Sequence, residues 1–332
     1  MGRAAVSGCF FAGLAASVTA GCSGMSRAKT VPPSPTATAT TPPSPTPVSL
    51  ATVEVLATGQ PYAGSLCVDA SDVYWMAEQA CTIRKVPKGG GAVSDIIVTG
   101  FPETRVAESG ISLFFGPTLS LAYPVPVRRL LKSGGSPSLV ATTGRVGALL
   151  ADGSFVYGSD LDNGGGFLWS DPHAGGTPTP VSGATGAVFG LDQDASWIYY
   201  ASSAGAVGRA AKPAGPATDI ATGLCTPVAV AISGSTVLFS EPSCGRIRSV
   251  PVSGGTPSVT VICVPDAESI VADGSFVYFA ARTEGRVGRA PIAGGAVVNL
   301  VTGLLDPYRL AQDAAALYVT ERGAGRILRI VK

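Results

Sequence analysis

The chain has 332 residues, with 23 lysines and arginines against 22 aspartates and glutamates, and a single histidine, His173. A net charge of +1 lacks the basic footprint that nucleic-acid binding requires, and one His excludes a multi-histidine metal site. Charged residues make up only 14%, while Gly (43) and Pro (26) are abundant, so many short strands separated by turns are predicted.

Residues 1–21 carry one cation, Arg3, and then an Ala/Gly-rich apolar run from Ala4 to Val18. This has the form of a secretory signal peptide. Val18-Thr19-Ala20-Gly21-Cys22 resembles a bacterial lipoprotein signal, although Thr19 stands where Leu is usual. The resemblance implies acylation of the Cys22 thiol. Ordinary cleavage near Ala20 and an uncleaved anchor are the alternatives. Residues 22–49 follow as a Pro/Thr-rich tract with too few apolar groups to offset its ordering entropy. They are expected to form an extended linker of ~3 Å per residue, a tether if Cys22 is lipidated and a plain disordered terminus if not. No later apolar run is long enough to span a bilayer.

Residues 50–332 contain seven copies of one pattern. The pair Val73-Tyr74 recurs as Leu113-Phe114, Val156-Tyr157, Ile198-Tyr199, Val237-Leu238, Val277-Tyr278 and Leu317-Tyr318, at spacings of 40, 43, 42, 39, 40 and 40 residues. Five residues before each second member stand Asp69, Ser109, Asp152, Asp194, Ser233, Asp273 and Asp313, residues that build tight turns. Downstream come an apolar position (Ile83 in the first copy), usually a cation two residues later (Lys85), and a Gly pair or its remnant (Gly90-Gly91) suited to a hairpin turn. Each unit therefore reads as a four-stranded antiparallel meander of about 40 residues, the length of a propeller blade. The last unit stops at Lys332 without a fourth strand, and a spare strand near Thr52–Ala57 precedes the first. The fold class expected is all-β, a seven-bladed propeller closed by pairing the N-terminal strand with the last blade.

Units such as 273–295 and 69–90 resemble repeats of bacterial secreted propellers, related in pattern to YWTD, NHL and YVTN repeats. The resemblance covers about 50–332 and implies architecture rather than activity, because this fold hosts unrelated functions. Virginiamycin B lyases, seven-bladed enzymes of similar repeat type, use a His and a Glu beside a magnesium ion. His173 lies in a turn, Ser170-Asp171-Pro172-His173, where a solvated residue is expected, so that activity does not carry over.

The loops joining second to third strands, and fourth strands to the next blade, would gather Glu78, Glu103, Asp160, Asp162, Glu241, Asp266, Glu268, Glu284, Asp306 and Glu321 on one face. Arg105, Arg145, Arg282, Arg309 and Arg322 would join them. Carboxylates at the right separation can support acid–base chemistry; solvated loop tips are the plain alternative. Asp160 and Asp162, followed by Gly164, form the closest approach to a calcium loop, and no other cofactor is suggested. The basic third-strand positions are expected to form a ladder, and Trp75, Trp169 and Trp197 to pack. Cys225 and Cys244 flank one strand within one blade, in loops of one face, and are the favoured disulfide. Cys67 with Cys81 is a weaker pair, leaving Cys263 free or competing for Cys244.

The leading expectation is a non-catalytic binding or scaffold module of the cell envelope, engaging a protein or glycan through one face. It would be monomeric, lipid-anchored or else secreted, and in contact with membrane only through its N-terminal lipid. An extracellular hydrolase or lyase using the loop carboxylates, and a small-molecule or ion sensor, are the alternatives.

Overall fold

Phe276–Ala281 shows why these repeats become sheets. Val277, Tyr278, Phe279 and Ala280 are all at most 1% exposed, so this strand is covered on both faces. A single four-stranded sheet cannot supply that cover alone; sheets stacked face to face can. The structure, a computed structural model, describes residues 51–332 except 103, 119–123, 163–166 and 185. The expected signal peptide, Cys22 and the whole Pro/Thr tract lie outside the described residues.

Among the described residues the chain forms seven four-stranded antiparallel sheets. Blades I to VI take residues 63–98, 104–143, 146–181, 188–221, 230–262 and 269–301 in simple chain order. Blade VII is composite. Its three strands from 307–331 are completed by Val53–Ala57, which pairs antiparallel with Arg326–Val331 in the register Val53↔Ile330 and Glu54↔Arg329. That pairing joins the two ends of the propeller and closes the ring as expected. Short hairpins with Gly90, Gly134, Gly254 and Gly294 at positive φ join third to fourth strands, where any Cβ would be strained.

The core is divided rather than central. Seven buried apolar clusters fill the seven seams between neighbouring blades. Trp75 and Trp169 are fully buried in two of them, as packing residues. The basic third-strand residues do not converge. Each stays in its own blade: Lys85 on Asp72, Arg129 on the Ser112 hydroxyl, Arg209 over Trp197, Arg289 over Phe276 and Arg329 on Glu54.

The Asp turns do more than reverse the chain. In five blades the aspartate accepts two backbone N–H bonds and a tyrosine hydroxyl, as Asp152 does from Ser154, Phe155 and Tyr157 at 2.7–2.9 Å. In four of the five a lysine from the following blade then lies over that tyrosine ring and reaches the same aspartate. Lys132 meets Asp69 at 2.7 Å, Lys212 meets Asp152 at 3.3 Å, Lys332 meets Asp273 at 3.5 Å, and Lys88 of blade I meets Asp313 of blade VII at 2.6 Å. Where the partners are not ionic, the seam is repacked. His173 occupies the lysine position and sits 4.5 Å from Phe114, the residue in the tyrosine position. It is therefore a half-buried seam residue and not the solvated turn residue expected. Burial lowers its pKa below the usual imidazole value.

Burial opposes ionisation of Asp152, but its backbone, tyrosine and lysine donors outweigh that and hold its carboxyl at about 2. An unfolded aspartate titrates near ~3.9, so the stabilisation is complete above about pH 4 and is lost as pH falls through about 2. Asp152→Asn is expected to cost about 1–2 kcal/mol at pH 7, a few degrees in thermal midpoint. The gap from the wild type should close near pH 2, and melting curves at both pH values check it. An undiminished gap in acid would show that charge is not the cause.

Candidate binding face and central channel

The two faces of the ring differ in chemistry. The face of Asp turns and Gly hairpins carries the clamps just described. The opposite face carries the loops in which most of the charged candidates were anticipated, and here the acids separate into two groups.

Asp160, Glu241 and Glu321 stand at the same place, the last residue of the second strand, and each is 0% exposed. Each turns inward and accepts the backbone N–H of the loop entering its blade: Gly144 on Asp160 at 2.8 Å, Cys225 on Glu241 at 2.6 Å, and Leu305 on Glu321 at 2.8 Å. Arg246 and Arg326 cover Glu241 and Glu321. Asp160 also accepts the Thr143 hydroxyl and the Asp162 N–H, and Asp162 grips both the backbone N–H and the Nε of Arg145. These carboxylates are loop clamps, with their lone pairs already directed at donors. The Asp160–Asp162 pair is engaged in the same way. Among the described residues no group of three or more His, Cys, Asp or Glu is gathered around a metal-sized space.

The Cys225–Cys244 disulfide strengthens the same corner of blade V, tying the entering loop to the turn after the second strand with Cα atoms 6.1 Å apart. Closing a loop of this size is worth about 3 kcal/mol. The Cys67–Cys81 pair does not form, and neither cysteine is in a disulfide. Cys67 lies opposite Tyr74 in mid-strand, whereas Cys81 follows the end of that neighbouring strand at Ala77. At ~3.3 Å per residue the two sulfurs are more than ~10 Å apart along the blade, beyond disulfide reach. Cys263 is exposed and free.

The remaining charges gather at the mouth of the central channel. Arg282 joins Glu268 (3.0 Å) and Asp306 (2.7 Å), and Arg322 joins Glu78 (2.6 Å). Three guanidiniums surround one ring, that of Tyr308: Arg309 at 4.3 Å, Arg322 at 4.4 Å and Arg282 at 4.9 Å. Arg309 also donates to the Tyr308 hydroxyl at 3.0 Å. Burial would raise the phenol pKa, yet Arg309, Arg105 and Arg322 together hold it below the usual value. Asp266 takes the Thr283 hydroxyl, Glu284 is held by Arg286, and Glu103 lies outside the described residues.

Inside the channel the sevenfold repeat exposes its own exceptions. The position four residues before each Asp/Ser turn lines a cavity of about 350 Å³, as Ser65, Arg105, Ala148, Gly190, Ala229, Ser269 and Arg309. Five of these are small and two are arginines, on blades II and VII. The next position in each strand is aliphatic without exception: Leu66, Val106, Leu149, Leu191, Val230, Ile270 and Leu310. Sequence reading placed Arg105 and Arg309 among the loop charges. Aligning the inner strands by their turns is what separates them.

This is a closed seven-bladed β-propeller with a clamped loop face and a small channel edged by arginines and their carboxylate partners. No protein-family model matches the chain, and no curated protein matches it in sequence, so the repeat places it by fold. Solved structures of similar fold include a streptogramin B lyase (12% identity, TM-score 0.70, covering 84% of this chain and 96% of that one). Virginiamycin B lyase from Staphylococcus aureus is similar at 13% identity (TM-score 0.68, 85% and 98%). YCF48 bound to D1 peptide is similar at 12% (TM-score 0.63, 86% and 96%).

Proposed function

We propose that the propeller is a non-catalytic binding module of the cell envelope that engages a partner protein through its loop face. The observation that carries this reading is the division of labour on that face. Asp160, Glu241 and Glu321 are buried loop clamps and Glu268, which lines the channel, is paired with Arg282, while the loop face offers Tyr62 (42% exposed), Phe189 (37%) and Leu305 (61%). Tyr and Arg are the side chains enriched at energetic centres of protein interfaces. A glycan platform is less well supported, since Trp75 and Trp169 are buried and Arg209 covers Trp197. The structural neighbour bound to a peptide supports this reading. Export through residues 1–21, and anchoring through Cys22 with 22–49 as tether, complete the proposal; the Cys225–Cys244 bridge suits an oxidising compartment.

A photo-crosslinking amino acid at position 62 or 189 is expected to capture a discrete envelope protein on intact cells. The same probe at position 111, an exposed site at the turn between first and second strands, should capture none. Equal capture from 111, or none from 62 and 189, would remove the loop face as the docking surface.

A further inference from the structure

We infer that the outer edge of blade V is a docking edge for an extended segment of a partner protein, which adds a fifth strand beside Ser258–Ile262. The surface lies on the outer wall of the ring and does not depend on docking through the loop face.

The first observation is a break in the protection of the seven outer strands. A bare strand edge invites a further strand, and charges, prolines or covering loops prevent it. Glu54 on Arg329 and Asp95 on Arg84, both at 2.7 Å, place ion pairs on the outer strands of blades VII and I. Pro180 interrupts that of blade III, and Asp219, bonded by the Tyr200 hydroxyl, guards that of blade IV. Arg286 reaches Asn299 on blade VI, and in blade II the Val140 carbonyl takes the Gly176 N–H at 3.1 Å. Ser258–Ile262 has none of these devices; its residues are Ser, Val, Thr, Val and Ile. Val259 is 50% exposed and Ile262 66%. Arg248 and Arg286 bond the carbonyls of Pro257 and Cys263, just beyond the two ends of the strand.

The second observation is that the seam beside this strand stands open. Each of the other six seams has a lysine clamp or a backbone bond from the next blade's hairpin to the outer strand. Gly176 makes that bond to Val140, and Gly255 makes it to Ile220 at 3.3 Å. Between blades V and VI, among the described residues, there is neither. The hairpin at 291–295 leaves a groove of about 550 Å³. Ser258, Val259, Thr260, Pro291, Ile292 and Ala293 line it, and no charged residue does. A groove on the other flank of blade V carries Asp219 and Arg248.

Alternate side chains of an added strand point to the two faces of its sheet. The segment that fits is therefore apolar or hydroxyl-bearing on the side toward blade VI and polar on the side toward blade IV. Its main chain supplies the affinity and the two grooves the selectivity. A second copy of this chain fits less well. Two convex rims meeting along this strand make a contact only ~17 Å long, short of the ~800 Å² per partner that stable interfaces bury. A single extended segment has no such bulk and can follow the grooves.

The test is hydrogen exchange at residues 258–262 of the full chain, read by mass spectrometry. The probe is a capped six-residue peptide of alternating valine and threonine. Saturating peptide is expected to slow exchange there by at least about tenfold, and to leave residues 94–98, the outer strand of blade I, unchanged. Methylating every backbone nitrogen of the peptide should abolish the effect. Glutamate in place of each valine should weaken binding by at least about tenfold. Val259→Lys combined with Ile262→Lys should also abolish it, whereas Val98→Lys, at a position 70% exposed, should not. No slowing, equal slowing by the methylated peptide, or equal slowing at 94–98 would each overturn the assignment. Slowing that grows with protein concentration alone would give the edge to a second copy and overturn it as well. Loss of the loop-face partner would leave it standing.

Discussion

A chain that begins at Thr58 is expected to melt at least about 10 °C below one that begins at Leu50, and to elute largely as aggregate. The shorter chain lacks Val53–Ala57, the outer strand of blade VII. It loses the ladder to Arg326–Val331, the burial of Leu56 and Ala57, and the 2.7 Å pair of Glu54 with Arg329. A few backbone hydrogen bonds at about 1 kcal/mol each, with burial of a leucine at about 2 kcal/mol, amount to roughly 4–6 kcal/mol. At a few degrees per kcal/mol this gives the stated fall. Aggregation follows from the bared edge, since Arg326–Val331 would carry Ile327, Leu328, Ile330 and Val331 along an unpaired strand. Scanning calorimetry and size-exclusion chromatography check both parts, and a peptide of residues 50–58 added in trans should reverse them. Equal midpoints for the two chains would mean that the ring is held without its closing strand.

Replacing Asp171 by Val is expected to stabilise the propeller by about 2–3 kcal/mol at pH 8 and by far less at pH 4. Asp171 is 0% exposed, and both carboxyl oxygens lack a hydrogen-bond partner. In the six other blades its position holds Val86, Leu130, Ala210, Val250, Ala290 or Ile330, all buried in seam cores. Burial alone pushes its carboxyl up to about 6. The folded state therefore keeps the proton longer than the unfolded chain, whose aspartate titrates near ~3.9. The cost is absent below about pH 4, grows as pH rises to about 6, and stays constant above that. Two pKa units correspond to about 2.7 kcal/mol. Val fills nearly the same volume and matches the residues found in blades I and V. Thermal midpoints of wild type and Asp171→Val at pH 4 and pH 8 decide the matter: a benefit equal at both would assign it to packing, and a loss at both would show that the carboxyl is needed.

The architecture was legible because it is written seven times. Independent positions kept one phase, so the strands, turns, blade number and closure could all be read without coordinates. The disulfide was legible for a related reason: Cys225 and Cys244 fall at equivalent ends of loops on one face. What escaped was side-chain direction. Nothing in the order of residues says that Glu321 turns inward to Leu305 N–H while Tyr62 stays at the surface. The spacing Glu241…Arg246, repeated as Glu321…Arg326, was the available sign of a clamp. The lysine clamps were equally available, since Lys88, Lys132, Lys212 and Lys332 stand three residues after the third-strand cation. The Cys67–Cys81 pairing failed because proximity in sequence was weighed without counting rise along the strand.

The clamps are also unevenly distributed. Three of the four ionic seams are consecutive, joining VI to VII, VII to I, and I to II. They bracket the composite blade. On the far side, Val252 packs against the cluster that holds Tyr199, and Ile292 against the cluster that holds Leu238, at the positions where the clamped seams carry lysine. The seams thus differ in kind: four carry a lysine clamp, three of them around the chain ends, while those of IV with V and V with VI have none. High ionic strength weakens the clamped seams and spares those two, whereas chilling weakens the apolar cluster present in every seam.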